Sequence, residues 1–270
     1  MSEVIFENYK NQRLFLISGL DSIGVPYTPD NYMLYSYTDF LVSEFKKNNV
    51  DIECFNLSSL AISKTHELIK ILKRNYSREY YTRLNKRITK HIIDTKKYNR
   101  PLNARFMDKY FQELEKDINI TTELINAENP IFILSCGAMD LKKNLDLYSY
   151  DPKKYIPKIA RKLFKEIKET MTKIEECFKF ILELNPSTTI YMLGVYPLAK
   201  NKIKETILYP FVLYYNKKLE EMCLRYPNVC YVNIMGTKNY MAKNDGHPSL
   251  DGHKFISEQI VKTMNKNMIK

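Results

Sequence analysis

Five short, mostly apolar runs alternate with segments in which apolar residues recur at helical spacing. This alternation is the feature that most constrains the fold of the 270-residue chain. The clearest run, residues 131–137, is apolar except for Ser135, which is typical of a parallel strand buried on both faces. The predicted strands cover residues 13–19, 50–57, 131–137, 188–195 and 229–234. The predicted helices cover residues 37–48, 65–74, 156–184, 209–225 and 254–264. Strands that alternate with helices predict a three-layer α/β/α sandwich around a mainly parallel five-stranded sheet.

Length and composition favour a single compact domain over residues 1–270. Hydrophobic residues make up 44% of the chain and charged residues 27%, and the low counts of Gly (7) and Pro (11) argue against a linker-rich or disordered chain. The first residues lack the apolar segment of a signal peptide, and no later run approaches the ~18 apolar residues of a membrane span. We therefore expect neither export nor membrane insertion, and a cytoplasmic location.

A basic segment interrupts the pattern and predicts a helical insertion at about residues 70–125. Residues 70–105 contain twelve Lys or Arg against two acids, with tyrosines between them. With the formal net charge of +11, this segment could bind an anionic partner such as nucleic acid or an anionic membrane surface. The basic residues and tyrosines also recur at helical spacing. A helix with a solvated basic face and an opposite face of Tyr and Ile explains this pattern, and it is the interpretation we favour. That apolar side could also form a lid over a pocket.

The cysteines do not indicate a metal site or a disulfide framework. They are five in number and none forms a Cys-x-x-Cys pair, so each is expected to be a packed thiol in a reducing compartment. No His and Asp cluster with ligand spacing is present, and we expect no metal and no cofactor. Cys136 could in principle act as a nucleophile, but its place inside a predicted strand favours packing.

Four loops follow the predicted strands at the edge where α/β proteins place their sites. They are residues 19–24, 57–63, 137–140 and 244–253. Ser22 directly follows the first strand, so it is placed for exposure, and it can act as a nucleophile if a base reaches it. The alternative is that Ser22 is only a helix cap.

The last of these loops presents a histidine on a rigid turn. His247 precedes a proline, which disfavours continuation of a helix, and a nearby carboxylate could hold the imidazole in one tautomer. The alternative is a polar turn that caps the last helix through Ser249 or Asp251. His253 is expected at the start of that helix.

Together, the four loops resemble the sequence blocks of the SGNH/GDSL hydrolase family, and the resemblance covers most of the chain. The matching segments are Gly19-Leu20-Asp21-Ser22-Ile23, with one residue inserted, Phe55-Asn56-Leu57-Ser58-Ser59-Leu60-Ala61, Ser135-Cys136-Gly137-Ala138-Met139-Asp140-Leu141, and His247-Pro248 followed by Gly252. The resemblance implies a flavodoxin-like sheet of the SGNH type.

The resemblance also implies roles for individual residues. Ser22 matches the nucleophile, whose N–H also serves the oxyanion hole, and His247 matches the base. The second block lacks the family's glycine, so the N–H of Ser59, Leu60 or Ala61 would replace its donor. Other matched positions are Gly137, Met139, Asn244 and Asp245.

Two of these positions depart from the family pattern. Met139 stands where the family has an oxyanion-binding asparagine, and a thioether cannot donate a hydrogen bond. The family's acid lies three residues before the histidine, where this chain has Asn244, while Asp245 is one residue nearer. Either Asp245 orients His247 from a shortened loop, or the site is a Ser-His dyad with Asn244.

Two functions follow from the resemblance and its departures. The first is a serine esterase or acylhydrolase that cleaves or transfers the acyl group of a small ester or thioester. The second is a catalytically impaired pseudoenzyme that binds a ligand or partner. Binding of an anionic surface through residues 70–105 is a third alternative.

Overall fold

A computed structural model describes residues 9, 13–20, 36–56, 65, 120–137, 152–197, 202–241 and 247–268. Five strands form one sheet in which all neighbours are parallel, in the order β2-β1-β3-β4-β5. The strands are β1 (Arg13–Leu20), β2 (Asp51–Asn56), β3 (Ile131–Ser135), β4 (Thr189–Leu193) and β5 (Val229–Val232). All five lie where the apolar runs predict them, and the predicted parallel sheet is confirmed.

Helices cover the sheet on both sides, which confirms the three-layer sandwich. They are α1 (Tyr37–Lys47), α2 (Ile120–Asn126), α3 (Pro152–Leu184), α4 (Lys202–Cys223) and α5 (Leu250–Met268). Helices α1 and α5 pack on one face, and α2, α3 and α4 pack on the other. A 3₁₀ helix, Met235–Tyr240, follows β5.

Alternate residues of each strand feed two separate cores, because successive side chains in a strand point to opposite faces. Leu16 of β1 packs with the α1 and α5 side, whereas the next residue, Ile17, packs with the α2, α3 and α4 side. Ile133 and Leu134 of β3 divide in the same way. Burial on both faces explains why these strands are continuous apolar runs.

Three helices begin earlier than their spacing predicts. Helix α3 begins at Pro152 rather than residue 156, and a proline suits the first turn because its missing N–H has no helical acceptor there. Helix α4 begins at Lys202 rather than residue 209 and contains Pro210, which is exposed, so water can replace the lost hydrogen bond. Helix α5 begins at Leu250 rather than residue 254.

Most of the predicted basic insertion lies outside the described residues. Its last part forms the start of α2, and the remainder, including residues 70–105, stays a prediction together with its anionic partner. Of the predicted helix at 65–74, only Thr65 is described. Within the described residues, no helix has the length and apolarity needed to span a membrane.

The cysteines are packed as expected in three of five positions. Cys136, Cys177 and Cys223 are buried, whereas Cys54 and Cys230 are half-buried. Cys136 belongs to the core beneath α3 and α4, and at 4% exposure it is inaccessible to a substrate. The packing interpretation of this thiol is therefore confirmed.

Candidate active site at the switch point of the sheet

The order of the strands creates a crevice between the ends of β1 and β3. The chain leaves β1 towards α1 on one face and leaves β3 towards α3 on the other, which is the switch point where flavodoxin-like sheets bind ligands. Leu20 and Ser135, the last residues of these strands, are paired in register. Ser22 and Gly137 each follow two residues later, so both loops depart from the same level of the sheet.

Gly137 begins the loop after β3 in a conformation that requires glycine. Its φ is +95°, a value that side chains disfavour, and the phenol oxygen of Tyr215 fills the space that a Cβ would need. The same hydroxyl donates a hydrogen bond to the carbonyl oxygen of Cys136, 3.3 Å away. Tyr215 of α4 thus fixes the backbone where the resemblance locates part of the oxyanion hole.

The next residue of α4 fixes the neighbouring loop. Asn216 accepts a hydrogen bond from the N–H of Val195 at 2.9 Å through Oδ1, and its Nδ2 donates to the carbonyl oxygen of Val195 at 2.8 Å. Both partners are buried. Two successive residues of one helix therefore hold the exits of β3 and β4.

His247 lies on a segment that is anchored on its C-terminal side. Met241 and Pro248 form an isolated antiparallel bridge, so the ends of the intervening loop are held together. The N–H and the hydroxyl of Ser249 both donate to the carbonyl oxygen of Tyr240, at 2.8 and 2.7 Å. His247 itself is half-buried, so the residue is partly accessible.

Ser249 also caps the last helix, as the polar-turn interpretation of this loop expects. Its Oγ accepts a hydrogen bond from the N–H of Gly252 at 3.3 Å. Gly252 packs closely, since a Cβ there would lie 2.5 Å from the carbonyl oxygen of Tyr240 and 2.8 Å from the Cβ of Pro248. Capping and histidine presentation are therefore properties of the same turn.

His253 differs from His247 in its surroundings. It lies in the first turn of α5, as predicted, and is fully buried. Its Nδ1 accepts a hydrogen bond from the N–H of Tyr37, 3.2 Å away. Burial, assisted by the nearby charge of His247, lowers the pKa of His253 to about 3, so this imidazole is neutral at physiological pH. Of the two tail histidines, only His247 is accessible.

Most of the predicted site residues lie outside the described part of the chain. These are Ser22, Ser59, Leu60, Ala61, Met139, Asn244 and Asp245. Gly137 and His247 are described, at the exit of β3 and before α5. Their catalytic and oxyanion roles stay predictions.

Three features of the site were not predicted from the sequence: Tyr215, Asn216 and the contact of His253 with Tyr37. An asparagine on the buried side of a predicted helix was an available signal, because buried amides need partners and Asn is a weak helix former. The phenol of Tyr215 gave no comparable signal, since tyrosine is common in apolar helix faces.

The fold is that of SGNH-type esterases and lipases. A lipase from a goat rumen metagenome superposes with a TM-score of 0.61 at 11% identity, over 93% of this chain and 96% of its own. A Parabacteroides merdae protein assigned as a GDSL-like lipase gives 0.56 at 13% identity, over 96% and 98% of the two chains. A variant of an acetyl-xylooligosaccharide esterase from Geobacillus stearothermophilus gives 0.53 at 11% identity, over 94% of both chains.

Sequence comparison adds no relative. No family model matches the chain, and no curated protein matches it. At such low identity the similarity establishes the fold, and the chemistry of this chain must be argued from its own residues.

Proposed function

We propose that the protein is a serine esterase or acylhydrolase that uses Ser22 as nucleophile and His247 as base. The observation that carries the proposal is the accessible His247, held by the Met241 to Pro248 bridge in a fold shared with esterases and lipases. The position of Ser22, two residues beyond the β1 end at the switch point, supports the same assignment.

The proposed reaction follows the usual course of acyl transfer through serine. The Ser22 oxygen attacks the carbonyl carbon of an ester while its proton moves to His247. The tetrahedral intermediate then collapses, the bond to the alcohol oxygen breaks, and His247 returns the proton to the leaving alcohol. Water then attacks the acyl-enzyme while its proton moves to His247, and His247 returns that proton to the Ser22 oxygen as the acid is released. A thioester reacts in the same way with a thiol as leaving group.

Backbone N–H groups are the proposed donors to the oxyanion. Those of Ser22 and of Ser59, Leu60 or Ala61 match the family's positions, and Gly137 sets the start of the third loop. Met139 cannot supply the third, side-chain donor. Loss of one such donor typically lowers turnover by about 10²–10³-fold, so we expect a slow enzyme.

The acid that orients His247 is proposed to be Asp245. Asp245 lies only two positions before His247 in the sequence, and the residues that flank both, Met241 and Pro248, form a bridge. Asn244 is the alternative partner, in which case the site works as a dyad. An Asp245→Asn variant that loses most turnover supports the triad, whereas an Asn244→Ala variant with the larger loss supports the dyad.

Labelling by a fluorophosphonate tests the nucleophile directly. Parent protein, Ser22→Ala and His247→Gln are compared for labelling and for hydrolysis of p-nitrophenyl acetate and an acetyl thioester. The exposed Ser43 on α1 offers a matched control, because Ser43→Ala removes a hydroxyl outside the four segments that match the family. We expect labelling and turnover in the parent and Ser43→Ala, and neither in the two site variants.

The same experiment decides between catalysis and binding alone. If folded parent protein is not labelled at Ser22, the esterase proposal is wrong and the pseudoenzyme hypothesis takes its place. Met139→Asn restores the family's donor type and provides a second measurement. A rise in turnover of about tenfold or more supports the proposed oxyanion hole.

A further inference from the structure

We infer that His253 is a positioning residue that ties the chain returning from Ser22 to the segment that presents His247. This role rests on the proposed function, since it concerns the alignment of those two residues. Its structural basis is the hydrogen bond between Tyr37 and His253, which are 216 positions apart.

Tyr37 lies where the loop after β1 rejoins the described structure. Residues 21–35, which include Ser22, connect β1 to the cap of α1 at Ser36. Ser36 is fully buried and forms a capping box with Asp39, in which its N–H donates to Asp39 at 2.6 Å and its Oγ accepts from the N–H of Thr38 at 3.2 Å. The end of the Ser22 loop is therefore firmly fixed.

The capping box supplies acceptors for the N–H groups of Ser36 and Thr38, and the N–H of Tyr37 between them bonds to a different acceptor. The first N–H groups of a helix have no acceptor within the helix, and a buried one needs a partner from elsewhere. Nδ1 of His253 supplies it at 3.2 Å, across the space between α1 and α5. One side chain thus joins the start of α1 to the start of α5.

His253 is also directly connected to the segment that carries His247. Its backbone N–H donates to the carbonyl oxygen of Ser249 at 2.9 Å, in the turn that Tyr240 anchors. His247 lies six residues before it and close enough to influence its protonation. A shift of the His253 ring would therefore move the His247 turn relative to the Ser22 loop.

A buried histidine is less favourable than an apolar residue if the side chain at position 253 only fills space in the core. With Nδ1 as acceptor, the proton of the neutral ring resides on Nε2, which is buried. Among the described residues, no acceptor lies within hydrogen-bond distance of Nε2. An apolar residue would avoid that unmet donor, so the feature that distinguishes histidine here is the Nδ1 contact.

Two substitutions separate the acceptor from the rest of the ring. His253→Asn offers an amide oxygen near the position of Nδ1, whereas His253→Leu fills the site without an acceptor. Ile260→Val is the matched control, because it alters the buried face of the same helix about two turns beyond position 253. Steady-state kinetics on p-nitrophenyl acetate and the rate of fluorophosphonate labelling are measured where urea denaturation shows every variant to be folded.

We expect His253→Leu to lower kcat and the labelling rate by about 10–100-fold with KM within about threefold, since misalignment by a fraction of an ångström weakens the reaction more than binding. His253→Asn should recover kcat to within about threefold of the parent, and Ile260→Val should leave it unchanged. An unimpaired His253→Leu, or an Asn variant as slow as the Leu variant, overturns the inference.

The proposed function fails in a different way. If turnover of the parent does not depend on Ser22, both the esterase proposal and this role of His253 are wrong. If Ser22-dependent turnover is present and His253→Leu matches the parent, only the role of His253 is wrong.

Discussion

The phenol oxygen of Tyr215 occupies the space beside the Cα of Gly137 that a Cβ would need. The contact joins α4 to the loop after β3 between residues 78 positions apart and is supported by the hydrogen bond from the same hydroxyl to the carbonyl oxygen of Cys136. Because both residues are buried, neither can move without disturbing the core around it. The start of the proposed oxyanion loop is thus determined by a helix that follows the next strand.

Gly137→Ala is expected to destabilise the protein by about 1–3 kcal/mol, from the positive φ and the collision with Tyr215 together. Tyr215→Phe removes the nearest atom, so the double variant should lose less stability than the sum of the single changes. Urea denaturation of the four proteins measures the coupling. Strict additivity would show that the φ strain alone explains the glycine.

Asn216→Ala is expected to cost about 2–4 kcal/mol, because it leaves the buried N–H and carbonyl of Val195 without their amide partner. Asn126→Ala is the control. The Asn126 amide also donates to a backbone carbonyl, that of Thr122, but at an exposed site, so its loss should stay within about 0.5 kcal/mol. Equal losses in the two variants would contradict the proposed clamp.

The central strands could be predicted from the sequence because burial on both faces leaves a nearly continuous apolar signal in β1, β3 and β4, whereas β2 at the edge of the sheet also contains Asp51 and Glu53. The start of α1 was predicted correctly, whereas those of α3, α4 and α5 were not. The predicted helix at 209–225 omits the part of α4 before Pro210, because proline disfavours a helix interior, yet the exposed Pro210 is accommodated within α4. The start of α5 depends on which residue caps the helix. The sequence allowed Ser249 or Asp251, and the cap is Ser249.

The candidate site was predictable only in its local parts. A histidine before proline indicates a rigid turn, and that turn is present. The partners of His253 and Tyr215 lie 216 and 79 positions away, and periodicity shows which face a residue belongs to but not which atom it meets. The choice between Asn244 and Asp245 stays a prediction for the same reason.

Ser249→Ala is expected to destabilise the protein by about 1–2 kcal/mol, through loss of the helix cap and of the hydroxyl bond to Tyr240. Ser43→Ala, at a solvent-exposed position in the middle of α1, should be neutral or slightly stabilising. Thermal or urea unfolding provides the comparison. A Ser249 variant as stable as the parent would show that the turn is held by other contacts.

Acid is expected to weaken the parent more than His253→Asn. The pKa of His253 is lowered to about 3 in the folded protein and should be near 6.5 when unfolded, so the unfolded chain binds the additional proton between these values. Stability from this group is complete above pH 6.5 and falls towards pH 3 by at most about 1.4 kcal/mol per pH unit.

Urea denaturation of both proteins at pH 7.5, 6.5, 5.5 and 4.5 isolates this effect, since the other titrating groups are shared. The free energy of unfolding of the parent minus that of the variant should decrease steadily below pH 6.5. A constant difference would mean that His253 titrates alike in both states, and hence that its burial carries no penalty for the charged form.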